Sequence, residues 1–195
     1  MPIEVRREQV LDAALGLISE HGYAAATMDA IAREAEIAKP VVYNAYPGRG
    51  ALLGALLDRE EQRGLKALAD AMPPTSAPAD PAEMFISWLE SLAQVIAASP
   101  ATWRLILLPP DGTPEEVRER VQAGRRFALA QAQTLATALL KKRPPRTELD
   151  PELVGQSLFS VCERIAGLML EDPEHYPPDR VLAYARAVLD LFGLR

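Results

Sequence analysis

Three prolines each follow a residue able to cap a helix: Ser99-Pro100, Thr113-Pro114 and Asp150-Pro151. Proline fits a helix only in its first turn, where the N–H groups lack intrahelical partners, so each pair marks a helix start. Thr113-Pro114-Glu115-Glu116 is also a capping box. Apolar residues recur at helical spacing between these starts, and strand signals are almost absent. The expected fold is all-α, with helices near 82–98, 100–108, 114–142, 151–171 and 178–192 in the second half.

The first half has finer punctuation. A helix is expected from Glu4 to Glu20, with Val10, Leu11, Ala14, Leu15 and Ile18 in one apolar stripe. His21-Gly22 closes it, Gly22 taking a left-handed C′ conformation. Thr27 reads as the N-cap of a short second helix carrying Met28, Ile31, Ala32 and Ala35. Glu36-Ile37-Ala38 makes a turn, and a third short helix runs from Lys39 to Tyr46 with Pro40 in its first turn. A fourth runs from Arg49 to Met72. The stretch PPTSAPADP, residues 73–81, is the clearest break. The expected organisation is a helix-turn-helix domain over 1–50, a connecting helix over 51–72, a linker over 73–81 and a larger helical domain over 82–195, about nine helices in all.

Two short helices joined by a tight turn and braced by a longer one suit DNA, whose major groove admits one helix. On the third helix Val42 and Ala45 are expected to face inward, while Lys39, Pro40, Val41, Tyr43 and Asn44 face out. Lysine can donate to guanine, asparagine can pair with adenine, and Val41 can sit against a thymine methyl. Tyr43, the backbone N–H groups capped by Thr27, and Arg49 are candidate phosphate contacts, as are Arg6 and Arg7 near the start of the first helix. Tyr23 and Tyr46 are expected in the core.

Residues 8–57 resemble the DNA-binding domain of TetR-family repressors. Thr27-Met28-Asp29-Ala30-Ile31-Ala32 is similar to the family's threonine-led second helix, and Lys39-Pro40-Val41-Val42-Tyr43-Asn44-Ala45-Tyr46 to its recognition helix with a phosphate-touching tyrosine. Pro47-Gly48-Arg49-Gly50-Ala51-Leu52-Leu53 resembles the entry to its fourth helix. Ala38 stands where the family often has serine, Asn44 and Ala45 replace a histidine and an aromatic, and Gly50 replaces an acidic residue, so no operator sequence carries over. The resemblance implies a ligand-responsive repressor, a homodimer through the last two long helices, and a palindromic double-stranded DNA operator. Leu158, Val161, Ile165, Leu168, Val181, Ala185, Val188 and Phe192 supply stripes for that dimer contact, and Gly155, Ser160, Ala166 and Gly167 permit close approach. It also implies an effector site within helices five to eight. Phe85, Trp88, Trp103, Phe127 and Phe159 suit a largely apolar small molecule, with Gln131, Cys162 and Glu163 as polar groups, although core filling explains each aromatic too.

Charge limits how DNA is held. The net charge is −6, and residues 1–72 hold eight Lys+Arg against eleven Asp+Glu. Any DNA binding therefore rests on a few placed cations rather than a basic domain. An all-α small-molecule binder without functional DNA binding is the alternative this acidity favours. One cysteine and two histidines, with no nucleophile beside a base, give no catalytic or metal constellation, so neither enzyme activity nor a cofactor is expected. Met1-Pro2-Ile3-Glu4 leads into a charged helix without the apolar core of a signal peptide, and the uncharged run from Phe127 to Leu140 is too short for a membrane span. A cytoplasmic protein without membrane association is expected.

Overall fold

The computed structural model describes residues 2–71, 80–107, 113, 115–141 and 149–191. Among them are nine α-helices and no strand: α1 Ile3–His21, α2 Met28–Glu34, α3 Lys39–Ala45, α4 Arg49–Ala71, α5 Pro81–Ala98, α6 Pro100–Leu107, α7 Glu115–Lys141, α8 Pro151–Glu171 and α9 Pro178–Leu191. Starts and stops fall within a residue or two of the punctuation in the sequence. The expected boundaries at 72, 108, 114, 142 and 192, the 113–116 capping box and the linker up to residue 79 lie outside the described residues or side chains.

The chain divides into two compact units, residues 1–65 with 101–121 and residues 66–100 with 122–195. In the first, the α1 stripe of Val10, Leu11, Ala14 and Ile18 packs with Ile31 and Ala32 of α2, Val42 and Ala45 of α3, and Leu52, Leu53, Leu56 and Leu57 of α4. Burying a side chain of this size fully is worth about 1.5–3 kcal/mol, far more than helices of seven residues, as α2 and α3 are, can gain from propensity.

Local geometry shapes the connections. Gly22 takes φ 77° but ψ 173°, so it is extended in ψ rather than left-handed helical. Its amide still donates to Ile18 O at 2.9 Å, and positive φ with extended ψ is essentially confined to glycine. The true left-handed residue is Glu36, at φ 52° between α2 and α3. There the Glu36 amide donates to Arg33 O at 3.1 Å and the Ile37 amide to Ala32 O at 2.9 Å, the pair of bonds of a Schellman motif. A non-glycine residue carries the turn because those two bonds and buried Ala35 hold it.

A fully buried carboxylate, Glu60, lies deeper on α4. It accepts from Arg59 Nε at 2.8 Å, Arg63 Nη1 at 3.2 Å and Thr102 Oγ1 at 2.5 Å. Arg59 Nη1 reaches Glu8 at 3.0 Å and Asp12 at 2.8 Å on α1. Burial opposes the Arg59 charge, but Glu60, Asp12 and Glu8 outweigh it and raise the guanidinium's pKa.

In the second unit α5 presents Phe85, Ile86 and Leu89 to Leu182 and Ala185 of α9, flanked by Trp88, Leu135, Leu158 and Cys162. Glu90 and Arg186 form an ion pair across the same helices. A methyl group on Gly155 of α8 would lie 2.7 Å from the Cα of Gln133 on α7. Gly155, expected at the dimer contact, is therefore used inside the chain, and Ala166 and Gly167 are likewise buried in it. α8 is long and apolar enough to cross a membrane by length and composition, at mean hydropathy 1.3, yet Met169 and Leu170 of its last turns are buried in the protein.

Candidate nucleic-acid interface and effector cluster

α3 is amphipathic in the way a groove-entering helix requires. Val42 and Ala45 are buried, Lys39, Pro40, Tyr43 and Asn44 are exposed, and Val41 is half-buried. Pro40 sits in the first turn, and the Val41 amide donates to Ala38 O at 2.8 Å. The C-terminal end of α3 is tied to α1 by Arg7, whose Nε donates to Ala45 O at 3.3 Å while its guanidinium lies 5.9 Å from the buried Tyr46 ring. Gln9 Nε2 donates to Ala35 O at 2.7 Å, holding the end of α2. Thr27 Oγ1 accepts from the Ala30 amide at 3.1 Å, so the expected cap is made.

Arg49 has a more structural position than a simple phosphate clamp would. Its Nε donates to Ala26 O at 2.9 Å and its Nη2 to Tyr23 O at 2.5 Å. These bonds brace the chain just before α2 and commit two of the guanidinium's five donors. Arg6 bonds Gln9 Oε1 at 2.8 Å. Lys39 is not a free cation: its Nζ lies 2.7 Å from Asp29 Oδ1 on α2 and 6.0 Å from the Tyr43 ring centroid. The hydrogen bond and charge of Asp29 raise the Lys39 pKa. Asp29 gives no local sign of this pairing, because a residue inside a seven-residue helix announces no partner ten positions on. Arg33, also on α2, is exposed.

The expected effector residues separate into groups. Phe85 and Trp88 stack with centroids 6.2 Å apart and planes at 16°, in the cluster that also holds Cys162. Burial pushes the Cys162 thiol up to about 12, so it is an inert apolar group at neutral pH. Trp103 belongs to the other unit, where it packs over Gly64 of α4. Glu163 is paired to Arg125 at 2.7 Å, and Phe159 is half-buried. Phe127 departs from expectation: it is 68% exposed and cannot line an interior cavity of this chain. Gln131 is exposed beside it. The buried apolar residues of α7 are Val117, Val121, Ala136 and Leu139, whereas Phe127 shares helical spacing with the exposed Gln131 and Thr134. That spacing was available in the sequence.

The family model for bacterial regulatory proteins of the tetR family matches residues 10–56, the segment from α1 into α4. The HTH-type transcriptional repressor KstR of Rhodococcus jostii is 41% identical over 58 residues, 30% of this chain and 27% of that protein. The HTH-type transcriptional repressor SCO4008 of Streptomyces coelicolor is 31% identical over 103 residues, 53% of this chain and 48% of its own length. The chain thus matches about a quarter to a half of these curated relatives. A crystal structure of a TetR-like transcriptional regulator from Rhodococcus sp. RHA1 superposes with a TM-score of 0.78 at 26% identity, covering 99% of both chains.

Proposed function

The chain belongs to the TetR family of bacterial regulatory proteins, and from that premise we propose that it is a ligand-responsive, cytoplasmic transcriptional repressor acting as a homodimer on a palindromic operator. The observation that carries the reading is the division of α3: Val42 and Ala45 anchor it while Lys39, Pro40, Tyr43 and Asn44 stand exposed on one short, braced helix. Lys39 and Asn44 read base edges, Val41 meets a thymine methyl, and Tyr43 and the remaining donors of Arg6, Arg7 and Arg49 position the phosphate backbone. The capped amides at the start of α2 add backbone contacts.

Dimerisation runs through α8 and α9. Val181 and Ala185 are already buried inside the chain, so the contact falls to exposed Leu153, Val161 and Tyr184 and the half-buried Leu158, Ile165 and Val188. It sets the two α3 helices about 34–36 Å apart, one turn of DNA. The effector is a small, largely apolar molecule that enters around Phe85, Trp88 and Cys162 and acts by binding the two arrangements of the dimer unequally.

A shift assay across salt concentrations against the DNA flanking the gene tests this. With about four to six phosphates neutralised per dimer, the log–log salt slope is expected near −4 to −5. Lys39→Ala costs about 1–3 kcal/mol and relaxes one position per half-site, whereas Tyr43→Phe weakens all sequences alike. A protein that binds no duplex above background refutes the repressor and leaves a small-molecule binder.

A further inference from the structure

We infer that Asp29 is a specificity-determining residue: it holds the Lys39 ammonium for a base edge and makes its transfer to a DNA phosphate unfavourable. This rests on the reading of α3 as the recognition helix. Lysine carries a compact charge on a flexible stem, and at a DNA surface it can settle on any phosphate within reach, a contact that holds no sequence information. Here the stem is not free. Lys39 Nζ lies 2.7 Å from Asp29 Oδ1, between the first turn of α2 and the outward face of α3. The Tyr43 ring, with its centroid 6.0 Å away, flanks it on α3.

An ammonium has three donors. Asp29 takes one and leaves two, enough for guanine O6 and N7 without breaking the pair. Following a phosphate that lies beyond the reach of the held ammonium would break it and leave the carboxylate unpaired beside the polyanion. Asp29 is 64% exposed, so that repulsion acts through solvent and is modest. The penalty falls on non-cognate DNA, where no guanine waits for Lys39. In a domain with net negative charge, such a device lowers non-specific retention without removing a contact from the operator.

The test uses full-length wild type, Asp29→Asn, Lys39→Ala and the double variant. Each is titrated by fluorescence anisotropy against a duplex selected by wild type from a randomised pool and against the unselected pool, over a range of salt. Asp29→Asn keeps the side-chain shape at an exposed position, and circular dichroism checks that it folds; Asp29→Ser serves as a second variant. The expected result is a three- to fivefold (order-of-magnitude) gain on the unselected pool, with little change on the selected duplex. The specificity ratio then falls by about the same factor, and the salt slope on the unselected pool steepens by about one per subunit as Lys39 takes up a phosphate. In the Lys39→Ala background the substitution should lose most of this effect. Equal gains with and without Lys39 would mean that Asp29 only repels DNA, and would overturn the inference. Unchanged affinity, ratio and slope in Asp29→Asn would overturn it while leaving the repressor reading intact. Wild type that selects no sequence overturns both.

Discussion

In the first unit Val10, Ile31, Val42 and Leu52 are each 0% exposed, within one continuous core running from α1 to α4. In the second, Phe127 is 68%, Leu153 65% and Tyr184 55% exposed, while Phe85, Ile86 and Leu89 of α5 pack with Leu182 and Ala185 of α9. Both units are helical and draw on the same residue types. The first closes its core with short helices and a buried charge network and leaves Ile3, Val5, Tyr43 and Leu65 exposed; the second leaves Phe127, Leu153, Val161 and Tyr184 exposed on α7, α8 and α9. Exposed apolar residues that form one patch mark a partner surface. The dimer reading assigns the exposed apolar residues of α8 and α9 to a contact with a second copy.

Val161→Glu attacks the contrast where it is widest. Val161 is 40% exposed in the single chain, so a carboxylate there should leave the fold intact. In the α8–α9 contact it would be buried without a partner, costing several kcal/mol, about 3–5 by the usual scale for an uncompensated charge. Sedimentation equilibrium should show monomers or aggregates, and operator binding should vanish with every DNA-facing residue still present, since one α3 reads only a half-site. Wild type that sediments as a monomer at micromolar concentration would end the dimer reading.

Glu60→Ala asks how far the first unit depends on its charge network. It would strip a partner from Arg59, Arg63 and Thr102 together. We expect a loss of about 3 kcal/mol, the low end for a broken buried pair, because Glu8 and Asp12 still hold Arg59. The counterpart in the second unit is Glu163→Ala. Its pair with Arg125 is partly solvated, so the change should stay within about 1 kcal/mol. Urea denaturation of both variants measures the difference, and equal losses would contradict the distinction between the two units.

The reasons these features were or were not legible in the sequence are physical. The boundaries of α2, α3, α5 and α8 are set by interactions spanning a few residues, such as the Thr27 cap, Pro40, Pro81 and Asp150-Pro151, so they can be read locally. The division of α3 into Val42 and Ala45 against Lys39, Tyr43 and Asn44 follows from helical spacing alone. What stayed hidden is long-range. Arg49 finds carbonyls 23 and 26 residues away, and Glu60 accepts a hydrogen bond from Thr102, 42 residues away. Gly155 looked like a residue for a partner helix but is taken up by Gln133 of the same chain. Small residues report that something comes close, not what.

That ambiguity can be tested with a pair of glycines. Gly155→Ala would place a methyl 2.7 Å from the Cα and side chain of Gln133. Backbone cannot step aside cheaply, so we expect a loss of about 1–3 kcal/mol. Gly64→Ala in the first unit meets only Ile106 Cδ1 at 3.2 Å, with Trp103 Cζ2 at 3.5 Å. The end of a flexible side chain can move a few tenths of an ångström, and alanine gains up to about 1 kcal/mol of helix propensity. Thermal denaturation should show Gly155→Ala melting earlier and Gly64→Ala near or above wild type.

The smallest effect separates the units by function rather than stability. Thr27 caps α2 by accepting from the Ala30 amide at 3.1 Å, and Asp150 caps α8 by accepting from the Glu152 amide at 2.8 Å. Each cap is worth about 0.5–2 kcal/mol, so Thr27→Ala and Asp150→Ala should lower stability to similar, modest extents. Their consequences differ in scale because α2 has seven residues and α8 has 21. Fraying one turn of α8 leaves most of the helix in place, and operator affinity should stay at the wild-type value. Fraying one turn of α2 loosens more than half of it, including the amides proposed to meet phosphate. Thr27→Ala should therefore weaken operator binding more than its stability loss accounts for, at temperatures where both variants are fully folded. Anisotropy titrations of the two variants against one operator duplex decide the matter. Equal affinities would mean that α2 supports α3 only through its buried face, with no share in the interface.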